Sequence, residues 1–490
     1  MAYKSLKEFV EVLEREGELL RIAFPVDTDL EITEIADREM KKPGGGKALL
    51  FEQPLVDGKV SAFPLLINAY GSERRMELCL RRPVAQIVEE IAALLKAKPP
   101  KTLMDGVKLV GQGISLIHTR PATVSSGPCK EVIHRFEPGD SFDLGRLPIL
   151  KCWPDDGGRF VTLPNVYTQD PDTGERNIGM YRMQVYDGKT TGMHWQVHKV
   201  GARHGRRYYE TGKRMPVAVC LGGDPVLTFC ATAPMPDGLD EILLGGYLRR
   251  KSVPLVKCET NDLMVPADSD FVLEGYVEPG ETRTEGPFGD HTGFYTPPDA
   301  YPVFHLTAIT HRKEAIYPAT IVGIPPMEDY YLGTASVRIF FPMVKMLFPE
   351  IVDMHLPAAG VFHNLMVVSI KKQYPYHAFK IMHGLWGMGQ MMFTKIMVIV
   401  DEDIDPRDEQ QVLWWLCGNI EPQRDMIFTK GPTDSLDHAS TLPNISSKVG
   451  IDATRKLEGE GYTHRSWPDK LVMTRSVQTR VDELLRQIRS

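Results

Sequence analysis

The sequence predicts a mixed α and β (α+β) protein built from about three domains. The chain has 490 residues, and about 150 residues per domain is typical of globular proteins. Helix-type and strand-type patterns alternate before residue 125 and again after residue 320, whereas extended segments separated by turn clusters fill the region between. We therefore expect an N-terminal α/β domain over 1–125, a central, largely antiparallel sheet or barrel over 126–315, and a C-terminal α/β domain over 320–490.

The N-terminal region begins with a capped amphipathic helix. Ser5 and Glu8 form a capping-box pattern, and apolar residues follow at helical spacing. They are Leu6, Phe9, Val10 and Leu13. A strand is predicted over 19–26 and a second helix over 29–40.

The sequence pattern of the central region predicts an antiparallel sheet. Turn clusters at 169–176, 187–190 and 278–282 divide stretches rich in Val, Tyr, Thr and Phe. Residues 177–185 and 192–199 predict the two strands of a hairpin. Two helices interrupt the sheet, one beginning at Asp224 and Pro225 and one beginning at Asp237.

The C-terminal region again alternates strands and helices, including a helix capped by Asp405 and closed by Gly418. The final segment, 476–490, places five apolar residues on one helical stripe. They are Val477, Val481, Leu484, Leu485 and Ile488. A stripe this wide at a chain terminus predicts that a partner subunit covers it, and hence a homo-oligomer.

Composition excludes several classes of protein. The net charge is -7 and no block is rich in Lys or Arg, which argues against nucleic acid as a partner. Seven cysteines without a C-x-x-C pair favour neither a disulfide framework nor a cysteine zinc site, and they indicate a reducing compartment. No apolar run approaches the ~20 residues that span a bilayer. We expect a cytoplasmic protein, at most peripheral to a membrane, without a transmembrane segment.

The first candidate site combines oxygen and nitrogen ligands. Asn177 lies on the first strand of the predicted hairpin, and His194, Gln196 and His198 share a face of the second. Glu241 lies in the first turn of a predicted helix, so an amide oxygen, a histidine nitrogen and a carboxylate are available. Together they would suit a hard divalent ion such as manganese or magnesium. A polar outward strand face and a carboxylate that meets the helix dipole explain the same residues separately.

The second candidate site is an acidic loop. Glu285 and Asp290 flank Gly286, Pro287 and Gly289, which favour a tight turn. Two carboxylates with an arginine nearby are suited to acid and base chemistry, because like charges separate each other's pKa values. The alternative is a solvated acidic turn.

Several motifs together resemble the UbiD family of prenylated-flavin-dependent decarboxylases. They are NIGMYR at 177–182, MHWQVHK at 193–199, PMPDGLDE at 234–241, EGPFGDHTGFY at 285–295 and TKIMVIVDED at 394–403. The likeness covers nearly the whole chain and is closest to the 4-hydroxy-3-polyprenylbenzoate decarboxylase branch. It implies an N-terminal α/β domain, a central split β-barrel that binds prenylated FMN, and a C-terminal α/β domain for oligomerisation.

The resemblance also assigns cofactor residues. Asn177, His198 and Glu241 match the family's metal ligands, with manganese expected, magnesium as the alternative and potassium as a further ion. The positions that match its flavin contacts are Met180, Tyr181, Arg182, His194, Trp195, Gln196 and Lys395. A flavin prenyltransferase would supply the cofactor.

By the same resemblance, Arg182, Glu285 and Asp290 form the catalytic network. We assign Arg182 to charge orientation, Asp290 to proton donation and Glu285 to modulation of both. The implied reaction is the reversible, non-oxidative decarboxylation of an aromatic acid, most simply 4-hydroxy-3-polyprenylbenzoate or a related quinone precursor. A small aromatic or heteroaromatic acid and a non-catalytic flavin-binding or assembly role are the alternatives. The expected assembly is dimer-based, with a hexamer as one form.

Overall fold

The computed structural model describes residues 2–96, 119–137, 141–196, 199–235, 238–462 and 466–489. The helices are α1 Leu6–Arg15, α2 Glu31–Met40, α3 Glu73–Leu80, α4 Val84–Lys96, α5 Val200–Glu210, α6 Pro225–Cys230, α7 Glu241–Arg249, α8 Glu328–Leu347, α9 His377–Trp386, α10 Glu409–Asn419, α11 Pro422–Asp425 and α12 Arg475–Arg489.

The strands run through all three regions of the chain. They are β1 Leu19–Ile22, β2 Val26–Asp27, β3 Ala48–Phe51, β4 Pro54–Val56, β5 Lys59–Val60, β6 Leu65–Ile67, β7 Ala122–Thr123, β8 Val132–Arg135, β9 Phe160–Val161, β10 Asn165–Gln169, β11 Arg176–Met180, β12 Met183–Gln184, β13 Thr190–Gly192, β14 Met215–Leu221, β15 Pro254–Lys257, β16 Met264–Pro266, β17 Phe271–Glu285, β18 Phe288–Gly289, β19 Tyr295–Thr296, β20 Asp299–His311, β21 Tyr317–Pro318, β22 Ile351–His355, β23 Leu365–Ile370, β24 Ile396–Asp401, β25 Met426–Pro432 and β26 Ile445–Asp452.

The N-terminal helix forms as its sequence predicts. The Ser5 side chain accepts a hydrogen bond from the Glu8 backbone N–H at 3.1 Å. The four predicted apolar residues of α1 are buried against the N-terminal sheet, whose strand order is β1-β3-β6-β21. Because β21 comes from the end of the central region, the sheet ties the two domains together. The second helix begins at Glu31, two residues after its predicted start.

The central region is a seven-stranded sheet with the order β11-β10-β14-β17-β20-β13, in which β8 also pairs with β20. Every pairing in it is antiparallel, as the turn pattern predicts. Over the described ranges these pairings form an open path. Strands β17 and β20 are 15 and 13 residues long, and they carry the chain from the core to the acidic loop.

The predicted hairpin is only partly correct. The turn at 187–190 forms, and Val185 pairs with Thr191 beyond it. However, the first strand breaks between β11 and β12 at Tyr181 and Arg182, and residues 193–196 are not in a strand. The break has a local cause, because the Tyr181 ring folds back over Gly179, where a Cβ atom would lie 2.3 Å from it.

The sequence predicted some helix starts correctly and others wrongly. Asp224 caps α6 by accepting the Val226 N–H at 3.0 Å, as expected. Asp237 lies outside the described residues, and the helix expected there begins at Glu241 with Asp240 as its cap. The Asp405 cap was wrong: Asp405 accepts an N–H within the preceding turn, and Asp408 caps α10. The 20-residue helix α8 had no sequence prediction.

The C-terminal region is a five-stranded sheet covered on both faces. Its order is β22-β23-β24-β26-β25, with the inner pairs parallel. Along β23, Met366 and Val368 pack with α9, whereas Val367 packs with α10. This alternation places a helix on each face of the sheet, as expected for an α/β layer.

The last helix, α12, leaves its apolar stripe exposed. Its five apolar residues are between 39% and 77% exposed. Among the described residues, no helix is both long and apolar enough to cross a membrane.

Deleting residues 475–490 is expected to lower the mass of the assembly, because the exposed stripe would lose its partner subunit. Sedimentation velocity or light scattering measures that mass. Replacing Val481 and Leu485 by Glu should act in the same direction, whereas Arg486→Gln on the opposite face should not. An unchanged mass after the deletion would contradict a role for α12 in assembly.

Candidate active site

A buried arginine holds the two predicted carboxylates together. Arg182 Nε donates to Glu285 Oε1 at 2.8 Å and Arg182 Nη2 donates to Oε2 at 3.2 Å. Arg182 Nη1 donates to Asp290 Oδ2. The Phe288 ring lies on the guanidinium, with its centroid 4.4 Å from Cζ. All three predicted catalytic residues therefore meet in one cluster, although they come from different segments of the chain.

The sheet and two tight turns position this cluster. Glu285 is the last residue of β17, and Asp290 directly follows β18. Gly286, the first residue of the turn between β17 and β18, has a φ of 97°, a conformation that favours glycine. The turn is held from outside, since Gln184 accepts the Gly286 N–H and Asp156 accepts the Gly289 N–H, both at 2.7 Å.

Both carboxylates are ionised at neutral pH. Burial by itself raises the pKa of Glu285, but the hydrogen bonds from His194 and Arg182 and the charge of Arg182 outweigh it and bring the pKa to about 2. Burial also opposes ionisation of Asp290, but Arg182 and His291 hold the pKa of that carboxyl well below its usual range. The acidic loop is thus a buried charge network and not a solvated turn.

His194 extends the network on the Glu285 side. Its Nδ1 lies 3.2 Å from Glu285 Oε2, and its ring packs against Tyr301 with centroids 4.2 Å apart and the ring planes tilted by 30°. Burial and the neighbouring Arg182 charge lower the pKa of His194, so the ring is neutral. A neutral ring that donates from Nδ1 leaves Nε2 as an acceptor, and that atom is buried without a protein partner.

His291 and His363 extend the network on the Asp290 side. His291 Nδ1 lies 2.7 Å from Asp290 Oδ1, and His291 Nε2 lies 2.7 Å from His363 Nε2. His363 belongs to the loop before β23, in the C-terminal domain. This contact links the acidic loop to a second domain.

The predicted flavin residues surround the same region. Met180 ends β11, and Tyr181 and Trp195 are buried beside it. The Trp195 Nε1 atom, like His194 Nε2, is buried without a hydrogen-bond partner. These unpaired polar atoms fit a bound group that supplies the missing hydrogen bonds.

Residues of the C-terminal domain reach the same segment. Gln196 Nε2 donates to Asp434 Oδ1 at 3.3 Å, and Lys395 Nζ donates to Asp437 Oδ1 at 2.9 Å. Burial lowers the pKa of the Lys199 amino group, and the charge of Asp434 opposes this effect. A buried amine of this kind would suit an anionic ligand group such as a phosphate.

Two of the three predicted metal ligands are neighbours. Glu241, at the start of α7, accepts the Ile178 N–H at 2.9 Å, and Ile178 follows Asn177 on β11. Burial raises the pKa of Glu241 to about 7. The backbone N–H groups that donate to this carboxylate lower its pKa, but they compensate the burial only in part. This carboxylate and the Asn177 amide fit a bound cation. His198 lies outside the described residues.

Sequence reasoning missed the outer members of the network. His291 stands beside Asp290 in the quoted motif, so its adjacency could have indicated a role. Thr296, which accepts from Arg182 Nη2 at 3.2 Å, sits in the same segment. His363 carried no local indication, since only the packing of the C-terminal domain brings it to His291.

Comparison with known proteins defines the class. Three family models match consecutive regions of the chain: the N-terminal domain of 3-octaprenyl-4-hydroxybenzoate carboxy-lyase over 10–95, its Rift-related domain over 122–325 and its C-terminal domain over 330–453. The chain belongs to the UbiD family, and it is an enzyme of the carboxy-lyase class. An uncharacterized protein of Archaeoglobus fulgidus is 49% identical over 100% of this chain and 99% of its own. One from Aquifex aeolicus is 47% identical over 98% of each.

Solved structures of UbiD-class enzymes share the fold. The closed form of vanillic acid decarboxylase from Sedimentibacter hydroxybenzoicus matches with a TM-score of 0.84 at 26% identity, covering 99% of both chains. The open form of the same enzyme matches with a TM-score of 0.77. An evolved dimeric form of HmfF from Pelotomaculum thermopropionicum, in complex with prFMN, gives 0.78 at 26% identity over 97% of this chain and 98% of its own. The predicted family and fold class are confirmed, whereas the domain boundaries and site residues stay predictions.

If Glu241 binds the metal as the resemblance implies, replacing it by Gln is expected to lower the metal and flavin content of the purified protein, because a charged ligand would be lost. The fold should survive, since the helix loses only ~0.3–1 kcal/mol of dipole interaction. Elemental analysis and flavin absorbance measure the two contents.

Asp240→Asn is the matched control. Asp240 is the adjacent carboxylate that caps α7 through the Ile242 N–H, and Asn preserves a cap. Wild-type metal and flavin content in Glu241→Gln would show that Glu241 serves only the helix.

Proposed function

We propose that this enzyme catalyses the reversible, non-oxidative decarboxylation of an aromatic carboxylic acid with prenylated FMN as cofactor. The observation that carries the proposal is the buried Arg182 network, in which the Arg182 guanidinium is held between the carboxylates of Glu285 and Asp290. The preferred substrate is 4-hydroxy-3-polyprenylbenzoate or a related quinone precursor.

Arg182 keeps one donor for the substrate. A guanidinium has five N–H groups, and the described contacts use four of them: two on Glu285, one on Asp290 and one on Thr296. The remaining N–H is on Nη1. It can orient the carboxylate that leaves as CO2, while the two ionised acids prevent the guanidinium from turning away.

Burial of the cluster serves the chemistry. The side chains of Glu285, Asp290 and Arg182 are only 1%, 6% and 10% exposed. Little water therefore competes for the substrate carboxylate or for the carbanion-like carbon that decarboxylation leaves.

The cofactor would be held by the residues assigned from the family. Met180, Tyr181, Arg182, His194, Trp195, Gln196 and Lys395 would contact the flavin, and Asn177, His198 and Glu241 would bind Mn²⁺, or Mg²⁺, beside its phosphate, with K⁺ as a further ion. When bound, prenylated FMN supplies an electron sink for the departing carboxylate. Asp290 would then deliver a proton to the substrate carbon.

A small aromatic or heteroaromatic acid is the second candidate substrate. The similarity to vanillic acid decarboxylase favours it. A non-catalytic flavin-binding or assembly role is disfavoured, because a binding protein has no need for three buried charges at one point. We place the enzyme in the cytoplasm as a dimer-based oligomer, with a hexamer as one form, and with a flavin prenyltransferase as cofactor supplier.

Co-expression with a flavin prenyltransferase followed by an acid panel tests the function. The purified enzyme would be assayed for CO2 release and for ¹³CO2 exchange with prenylated and unprenylated aromatic acids. Turnover of the prenylated acids supports the preferred substrate, and turnover of the unprenylated acids alone supports the second. No release or exchange from any acid, despite full cofactor loading, would overturn the proposal.

Asp290→Asn is expected to slow decarboxylation by a factor of ~100 or more, the usual worth of a general acid. Glu285→Gln should also impair turnover, since it loosens Arg182, and flavin binding should hardly change in either variant. Steady-state kinetics and solvent deuterium exchange at the substrate carbon measure the effect.

Asp299→Asn is the matched control. The backbone of Asp299 lies opposite that of Glu285 in the β17–β20 pairing, but its exposed carboxylate lies outside the cluster. A fully active Asp290→Asn together with an inactive Glu285→Gln would reverse the roles of the two acids.

A further inference from the structure

Asp290 presents a problem of proton supply. Each decarboxylation of a carboxylate consumes one proton at carbon, yet Arg182 and His291 keep Asp290 ionised. An ionised acid has no proton to give. The proton must therefore reach Asp290 from a neighbouring group.

We propose that His291 stores the proton that Asp290 delivers, and that His363, reaching from the C-terminal domain, holds the His291 ring in position for the transfer. The inference rests on the proposed decarboxylase function and assigns two positioning residues to it. Its basis is an unbroken run of two hydrogen bonds, each 2.7 Å long, from Asp290 Oδ1 through the His291 ring to His363 Nε2.

The geometry fixes which atoms exchange the proton. His291 Nδ1 faces Asp290 Oδ1 and His291 Nε2 faces His363 Nε2, so both nitrogen atoms of His291 are engaged. The His291 backbone N–H also donates to Asp290 Oδ1 at 2.7 Å. This second bond keeps the carboxylate beside its own histidine.

The surrounding charges favour a cationic His291 and a neutral His363. Burial lowers the pKa of His291, but Asp290, with further help from Asp329 and Asp434, outweighs it and raises the pKa above its usual value. Burial and the His291 charge lower the pKa of His363 to about 4, against the opposing effect of Asp434 and Asp437 and with Lys199 adding to the lowering. His291 therefore donates to both neighbours, and His363 Nε2 accepts.

The transfer balances with one proton. The Nδ1–H bond of His291 breaks as an O–H bond forms on Asp290, and that O–H bond breaks as the C–H bond of the product forms. His291 is left neutral, and water replaces its proton before the next turnover. With His291 protonated, the charges of Arg182, Glu285, Asp290 and His291 cancel, so the cluster does not repel a carboxylate substrate.

Replacing His291 by Gln is expected to slow turnover by a factor of ~100, to about the level of Asp290→Asn. The double variant should be no slower than either single variant, because the two residues act on one proton. Multiplicative losses in the double variant, or a wild-type rate in His291→Gln, would overturn the proposal.

Two His363 variants separate positioning from structure. His363→Leu removes the acceptor of the His291 Nε2–H, which should lower the pKa of His291 and move the alkaline limb of the pH–rate profile to lower pH. His363→Gln keeps an acceptor oxygen and should restore most of the profile. The control is His438→Asn, since His438 is an exposed histidine of the same domain whose ring packs against Phe294, just beyond the acidic loop. Identical profiles for the Leu variant and wild type would refute the role of His363.

Histidine NMR titration of the protein tests the pair without any turnover. In the wild type, the His291 resonance should titrate above the ordinary histidine value of about 6.5, and Asp290→Asn should lower that pKa. A His291 pKa at or below the ordinary value would overturn the proposal even if the acid panel succeeds. A failed acid panel with the expected titration would instead reject the proposed reaction and retain the histidine pair.

Discussion

Arg182 is buried between two ionised carboxylates, and the rest of the site depends on keeping that arrangement satisfied. Taking three charges out of water is costly, and their mutual attraction repays the cost only when hydrogen bonds occupy the remaining donors and acceptors. His194 and His291 meet this need at Glu285 and Asp290, and Phe288 covers the guanidinium face. Removing one partner from such a group typically costs about 3–5 kcal/mol. The contribution of Glu285 is present above its unfolded pKa and is lost as the pH falls through about 2.

This constraint explains the irregular backbone around the site. At the break between β11 and β12, the Tyr181 ring packs over Gly179 and the Arg182 side chain reaches the two acids. The turn after β17 likewise brings the side chains of Glu285 and Asp290 to Arg182. Regular strands therefore lead to the site, and short irregular segments present its side chains.

The site also spans two domains. Gln196 contacts Asp434 and His291 contacts His363, and both of these partners belong to the C-terminal domain. A residue of the C-terminal domain, His363, therefore completes the hydrogen-bonded surroundings of Asp290 through His291.

The sequence by itself determined the elements whose causes are local. The Ser5 cap, the Asp224 cap, the antiparallel character of the central region and the two-sided C-terminal sheet follow from capping chemistry and hydrophobic periodicity, which act over a few residues. Arg182, Glu285 and Asp290, which the motif resemblance names together, lie in contact with one another. Tertiary structure decided the rest. It brought His363 to His291 across more than seventy residues of sequence. Contacts of that kind depend on how whole domains pack, and no periodicity within the chain encodes them.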